Sequence, residues 1–289
     1  MKTVDIGLIL GILLLIIIYL YIQNNRVLLS TYTIHMPRLH PSLKGKKIAF
    51  LSDTHFRDNT PHTYIDRLVI QVENLSPDLI LFGGDIIHAS DNEKAIEHAK
   101  DLVSQLAKVA PTYTVYGNHD LGNDHKKQLA EVLKIAGAKL LNNKAEWISF
   151  GEPGAGFWLM GLTAYENALD HQKSPLDQIK MPTDSKKQPK ILLTHHPHFF
   201  EKYLENDLKR PDLILSGHTH GGQVILPIIG GLFAPGQGFN PHYDFGIFTN
   251  EQYPNSRLIV SRGVGNSSFP FRINNRPEIV SITLNEAKK

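Results

Sequence analysis

The sequence predicts an α/β protein preceded by a single apolar helix. Three observations carry this. Residues 6–22 form a run with no charged or strongly polar side chain. From Lys47 onward, short apolar runs alternate with longer stretches of helical periodicity, the pattern of strands separated by helices. The second half adds further short apolar runs, which implies a second sheet packed against the first.

The run from Ile6 to Ile22 reaches the short end of the roughly 17–25 residues that a spanning helix needs. A buried helix of a soluble domain is the poorer alternative. A terminal helix apolar on every face is not covered by one neighbouring layer. A cleaved signal peptide would end in small residues, and Gln23-Asn24-Asn25-Arg26 follows instead. Residues 1–25 are therefore expected to be a transmembrane anchor. Lys2 is the only basic side chain before the run, whereas Arg26, Arg38, Lys44, Lys46 and Lys47 follow it. That asymmetry favours the cytoplasmic side for the rest of the chain. No twin-arginine pair precedes the run. Residues 26–46 look like a connector with one short extended piece at 31–35, since Pro37 and Pro41 discourage helix. The main domain is then 47–289.

Composition bounds what that domain can be. The chain has 289 residues, of which 42% are apolar, enough for an ordinary core. A formal net charge of +2 is too small to argue for nucleic acid. The absence of cysteine excludes disulfides and thiolate metal sites. Fifteen histidines is a high count, and their grouping decides what they mean.

Along the domain, 48–51 is a predicted strand, 66–75 a helix and 79–82 a strand. A helix over 93–109 places Ala95, Ile96, Ala99, Leu102, Val103 and Leu106 on one face. A strand at 113–116 and a helix at 126–136, ended by Gly137, complete the first half. Strands at 147–150 and 157–162 pair across the turn Glu152-Pro153-Gly154. Further strands fall at 191–193, 213–215, 258–260 and 279–284, with a helix near 199–205. The stretch 227–246 is loop-like, crowded with Gly and Pro, yet it carries Ile228, Ile229, Leu232, Phe233 and Phe239.

Five of these strands end in polar side chains of one kind. Ser52-Asp53-Thr54-His55, Gly83-Gly84-Asp85, Gly117-Asn118-His119-Asp120, Thr194-His195-His196-Pro197 and Ser216-Gly217-His218-Thr219-His220 each follow an apolar run. Ligands of open α/β sheets bind beyond the carboxyl ends of strands, so five ends can converge on one crevice. Carboxylate, imidazole and amide groups without thiolates suit Mn, Fe or Zn ions. The pairs Asp53/His55 and His218/His220 project to one side of an extended segment. Asp53, His55, Asp85, Asn118, His195, His218 and His220 are too many ligands for one ion with an open position. They suit two ions sharing a carboxylate. Two ions about 3.5–4 Å apart hold a hydroxide and clamp a phosphate for in-line attack. Taken singly, each block is an ordinary turn or cap. Their recurrence at successive strand ends is what points to metal.

With the blocks D-x-H, G-D, G-N-H-D, H and G-H-x-H, the sequence resembles the calcineurin-like metallophosphoesterase superfamily. The resemblance implies a four-layer αββα sandwich holding two divalent metal ions. It implies Asp53, His55 and His220 at the first ion, Asn118, His195 and His218 at the second, and Asp85 bridging. His119 would sit beyond the metals, oriented by an acidic partner, as the catalytic group that serves the leaving oxygen. Imidazole near neutral pH supplies a proton or a positive partner for that purpose. By the family pattern His195, not His196, is the ligand. His62, His88, His196 and His198 are expected to be structural. Gly221-Gly222-Gln223, 261–265 and 277–279 look like a membrane-anchored bacterial branch, similar to the UDP-2,3-diacylglucosamine pyrophosphatases of lipid A synthesis. Arg262 and Arg272 are candidates to pair a substrate phosphate, beside plain fold-stabilising roles. The leading expectation is hydrolysis of a phosphate ester or pyrophosphate on an amphiphilic, membrane-associated substrate, with the anchor holding the site near the bilayer. A nuclease also fits the metal chemistry, but the modest charge and the anchor argue against nucleic acid as partner. A phosphoesterase acting on soluble nucleotides and a membrane-tethered scaffold without activity stay open. The complete ligand set argues against the scaffold.

Overall fold

The computed structural model describes residues 6–90, 93–163, 174–266, 269 and 271–287. Residues 1–5 of the expected anchor, Lys2 among them, lie outside the described residues. Helix α1 (Ile6–Asn25) has 20 residues and buries none of them. It is long and apolar enough to cross a membrane, and it continues past the apolar run through Gln23, Asn24 and Asn25.

The extended piece expected at 31–35 is longer. Strand β1 (Leu28–Met36) runs parallel to β16 (Glu278–Glu286) at the edge of the first sheet. Its outer residues alternate between half-buried and exposed before Ile34 and Met36 enter the core, as one covered face requires. Next to β16 lie β2 (Lys47–Leu51), β3 (Leu79–Phe82), β4 (Thr112–Thr114) and β5 (Ala138–Leu140). β16 meets β2 antiparallel, and β2 to β5 are parallel. The crossovers are α2 (His62–Leu75), α3 (Glu93–Val109), and α4 (Asn118–Gly122) with α5 (Lys126–Ile135).

The second sheet has the order β14-β15-β9-β8-β7-β6. β6 (Lys144–Ser149) and β7 (Gly156–Leu162) form the expected hairpin. β8 (Lys190–Thr194), β9 (Leu213–Ser216) and β15 (Arg257–Val260) run parallel, and β14 (Gly246–Thr249) closes the edge antiparallel to β15. The loop-like stretch 227–246 contains small hairpins. β10 (Ile225–Leu226) pairs with β11 (Gly230–Gly231), and β12 (Phe233–Ala234) with β13 (Gly238–Phe239).

Period-two alternation builds the four layers. Ile48, Phe50, Leu79 and Leu81 face the second sheet and meet Phe157, Leu159, Ile191, Leu193, Leu213 and Leu215. The intervening Ala49, Leu51, Ile80 and Phe82 face α2, α3 and α5. On the far side, Met160, Leu192, Ile214 and Leu258 pack under α6 (Phe200–Leu204) and a short turn of helix at Pro175–Gln178. Helix, sheet, sheet, helix is the expected αββα order. Both sheets send the carboxyl ends of their parallel strands to one end of the sandwich, where the polar blocks collect.

Candidate metal centre and active site

The five blocks converge. Ligand atoms of Asp53, His55 and His220 lie within 4.8 Å of one another, and so do those of Asp53, Asp85 and His195. His55 Nε2 and His220 Nε2 approach to 3.0 Å. His195 Nε2 and His218 Nδ1 approach to 3.2 Å. Asp85 Oδ2 lies between the two sets, 3.5 Å from His55 Nε2 and 3.1 Å from His195 Nε2. Two nitrogens bound to one ion at about 2.1 Å are themselves about 3.0–3.4 Å apart. The spacing therefore fits a divalent ion in each set. Asn118 Oδ1 is buried without a hydrogen-bond partner, an orphaned amide oxygen of the kind an ion satisfies. His195 Nδ1 lies 2.7 Å from the Gly83 carbonyl. It must donate its proton there, which fixes the ring and aims Nε2 at the cluster.

Local backbone geometry aims these groups. Asp53, His55, Asp85, His218 and His220 have φ of +55°, +43°, +52°, +75° and +48°. Left-handed conformations are uncommon outside glycine, and here they coincide with the candidate ligands. The neighbouring glycines supply room. A Cβ on Gly117 would fall 2.0 Å from Asp85 Oδ1, and one on Gly217 would fall 2.2 Å from Asp53 Oδ2.

Electrostatics prepares the same atoms. Burial pushes His55 down to about 3 and holds His218 and His220 well below the usual histidine range. Their lone pairs are open for ligation at neutral pH. Burial also pushes His195 down, but the charge of Asp85 and its hydrogen bond outweigh it, and His195 stands at about 9. Burial would raise Asp85, yet His195 and His55 hold it well below the usual carboxylate range. Asp53 is pushed up to about 6, chiefly by burial. The His218 backbone N–H donates to both of its oxygens, at 3.0 and 3.1 Å.

His119 lies on the rim of this cluster. Its ring centroid is 4.6 Å from that of His55, and the Ala89 N–H donates to Nδ1 at 3.3 Å. No carboxylate hydrogen-bonds this ring among the described residues, although an Asp85 oxygen lies within 4.8 Å of one of its nitrogens. With Nδ1 accepting, the neutral ring carries its proton on Nε2. Arg262 and Arg272 are both engaged inside the protein. The Arg262 guanidinium lies 4.1 Å from the Phe245 ring centroid. Arg272 is fully buried, with Nε donating to Asn266 Oδ1 at 2.8 Å and Nη2 lying 3.2 Å from His220 Nδ1.

Two residues matter more than the sequence suggested. His196, expected to have a structural role in preference to substrate contact, is buried with its ring 4.4 Å from that of His218 and an unpartnered Nε2. Asp120 was visible in the Asn-His-Asp block but carried no role. It is fully buried and accepts from Ile86 N at 2.9 Å, Ile87 N at 3.2 Å and Gly117 N at 2.9 Å. It ties the loop of Asp85 to the loop of Asn118. Its place in the first turn of a short helix was the available signal, since a carboxylate there accepts exposed amides. His62 lies elsewhere, 3.4 Å from Asp101.

A cavity of about 260 Å³ opens over the cluster. Its floor includes Asp85, Asn118, His119, His218 and His220, and its wall includes Phe233 and Phe269. A second cavity, of about 510 Å³, lies by Asp212 at the opposite ends of the strands. Its cations Arg38, Lys186 and Arg210 are paired with Asp212 and Asp207.

Fold and centre together define a metal-dependent hydrolase of phosphoesters. Residues 46–222 match the calcineurin-like phosphoesterase family, and the chain belongs to that family. It is 33% identical over 241 residues to phosphodiesterase YaeI of Escherichia coli, covering 82% of each protein. It is 27% identical over 273 residues to the uncharacterized metallophosphoesterase YkuE of Bacillus subtilis, covering 91% of this chain and 87% of that one. A transmembrane protein with metallophosphoesterase domain from Danio rerio is 28% identical over 261 residues, covering 88% of this chain and 56% of that protein.

Proposed function

We propose that this chain is a membrane-anchored, two-metal phosphoesterase that cleaves a phosphodiester or pyrophosphate on an amphiphilic substrate. Asp53, His55 and His220 would hold one ion, Asn118, His195 and His218 the other, and Asp85 would serve both. The nitrogen spacings near 3 Å and the orphaned Asn118 oxygen support this division. When bound, the ions supply a nucleophile at neutral pH and neutralise the phosphate. His119 presents Nε2–H to the leaving oxygen as a hydrogen-bond donor that stabilises its developing charge. Asp120 fixes the loops that carry Asp85 and Asn118. Arg272 braces the cluster from within the protein, through His220. Helix α1 is the anchor and 47–289 the catalytic domain, with β1 of the preceding connector completing its first sheet, and the basic residues after α1 favour the cytoplasmic side for it.

The observation that carries the substrate class is the cavity itself, where phenylalanines 233 and 269 stand over a floor of carboxylate, amide and imidazole groups. Such a site takes a phosphate with an apolar group attached. UDP-2,3-diacylglucosamine is one such molecule. The test is turnover by the full chain with Mn²⁺ of that nucleotide lipid, beside a chromogenic phosphodiester and soluble nucleotides. Release of UMP establishes the pyrophosphatase form of the proposal. Cleavage of soluble nucleotides alone overturns the amphiphile. No turnover of any phosphoester by a metal-loaded chain, or turnover that survives Asp85→Ala, overturns the two-metal centre.

A further inference from the structure

The mouth of the site is edged by exposed apolar side chains that extend well beyond the two phenylalanines of the cavity wall. Ile228, Ile229, Phe233, Phe239, Phe269 and Phe271 are all exposed, Ile228 at 107% and Phe239 at 77% of their full surface. They form one patch. Phe233 and Phe239 pair across β12 and β13 with rings 5.4 Å apart. Gln223 Nε2 donates to the carbonyls of Phe269 and Phe271 at 2.9 and 2.8 Å. Val224 bridges to Ile273, just ahead of the hairpin whose turn carries Ile228 and Ile229. No Asp, Glu, Lys or Arg occurs between Gln223 and Asp244. Ile228 has φ of +74°, an outlier for a β-branched residue. It lifts an isoleucine side chain clear of the protein.

Helix α1 ends against this patch. Tyr19 Oη donates to Asn274 Oδ1 at 2.6 Å and accepts from Asn274 N at 3.1 Å. Asn24 Oδ1 accepts from Arg272 N at 2.9 Å, and Asn24 Nδ2 donates to Arg272 O at 3.4 Å. Arg272 and Asn274 directly follow Phe271 and bracket Ile273. The last turns of the apolar helix and the apolar rim are therefore fixed side by side.

We infer that the rim is a membrane-embedding surface, so that the active-site mouth opens at the face of the bilayer that α1 enters. This rests on the reading of α1 as an anchor. A bilayer is the occupant because the patch is continuous with a helix of bilayer length, lacks charge and projects outward at hairpin tips. Apolar tips beside a spanning segment partition into the headgroup and acyl boundary. An exposed patch of this kind on a soluble face would be a liability. It follows that substrate enters from the lipid side, headgroup first.

The cysteine-free sequence makes the test direct. Single nitroxide labels are placed in the full chain through Ile228→Cys, Phe239→Cys, Ile12→Cys in α1, and Ile135→Cys at the end of α5, and the chain is reconstituted in vesicles of phosphatidylethanolamine and phosphatidylglycerol. Power saturation with oxygen and with a water-soluble nickel chelate reports the depth of each label, independently of turnover. The expected result is oxygen access and nickel protection at 228 and 239, as at 12, with 135 open to nickel. If 12 lies in lipid while 228 and 239 match 135, the rim inference falls and the anchor stands. If 12 is also open to nickel, both fall. Neither outcome bears on phosphoester hydrolysis.

Discussion

Asp120→Asn tests whether the centre depends on a residue that touches no metal. In the wild-type chain one carboxylate oxygen accepts from Ile86 N and Ile87 N, and the other accepts from Gly117 N at 2.9 Å. Asparagine keeps one acceptor and turns an NH₂ towards the Gly117 amide. The loss of a buried bond to a charged acceptor costs about 1.5–3 kcal/mol. Part is recovered, because burial and the nearby charge of Asp85 push the Asp120 carboxyl up to about 7, and removing its charge relieves that strain. A net loss of about 1–2 kcal/mol remains, which lowers Tm by roughly 2–8 °C for a domain of this size. Metal should suffer more than stability. Residues that orient a ligand shell cost roughly 10–100-fold in metal affinity when changed, and Asp120 holds the loops of two ligands at once. Asp120→Ala leaves three buried amides unpaired at about 1–3 kcal/mol each, comparable with a whole domain's roughly 5–15 kcal/mol, and should not accumulate as folded protein. Metal content by elemental analysis and thermal melts with and without Mn²⁺ give the answer. An Asp120→Asn protein with wild-type Tm and full metal content would refute the reasoning.

Other perturbations separate chemistry, ligation and packing. His119→Ala should lower turnover by about 10²–10⁴-fold while both metals stay bound; elemental analysis showing loss of both metals would sink the leaving-group role. Gly117→Ala drives a methyl to 2.0 Å from Asp85 Oδ1, so the purified protein should lack metal, and full occupancy would show that the loop shifts freely. Phe157→Ala, between the sheets, should cost about 3–5 kcal/mol by denaturant melt yet leave metal content intact at low temperature; a loss under 1 kcal/mol would mean that the inter-sheet core is not where the fold draws its stability.

Legibility in the sequence followed locality. Helix 93–109 matches α3 because its apolar face is a complete local pattern. The central strands were readable as apolar runs, and their polar ends named the centre. Strand β1 was only partly readable, because its partner β16 lies at the other end of the chain and its outer residues are half-covered at a sheet edge. The predicted strand at 113–116 stops at Thr114. Hairpins of two residues per strand within 227–246 fall below any periodicity. Asp120 and His196 were visible as letters, but their roles depend on amides and rings from other blocks. The burial of Arg272 was hidden for the same reason: its partners Asn24, Asn266 and His220 come from three separate parts of the chain.

The centre concentrates what a fold ordinarily avoids. Left-handed backbone at five non-glycine residues costs of order 1–3 kcal/mol each. Asp53 and Asp85 are buried close together, and the charge of Asp85 raises Asp53. The histidines and backbone amides offset part of the charge, His195 on Asp85 and the His218 N–H on Asp53, but the glycines around the site add space and no packing. Stability has to come from the two apolar layers flanking the first sheet, Phe50 on one face and Phe82 on the other. That division explains why the polar blocks stand just beyond the strand ends, where a rigid sheet holds the carboxylates that repel one another. Arg272 extends the same logic to helix α1. It is clamped by Asn24 of α1 on its backbone and touches His220 through its guanidinium. Helix α1 is thereby one residue removed from the candidate ligands, and site and helix form one structural unit.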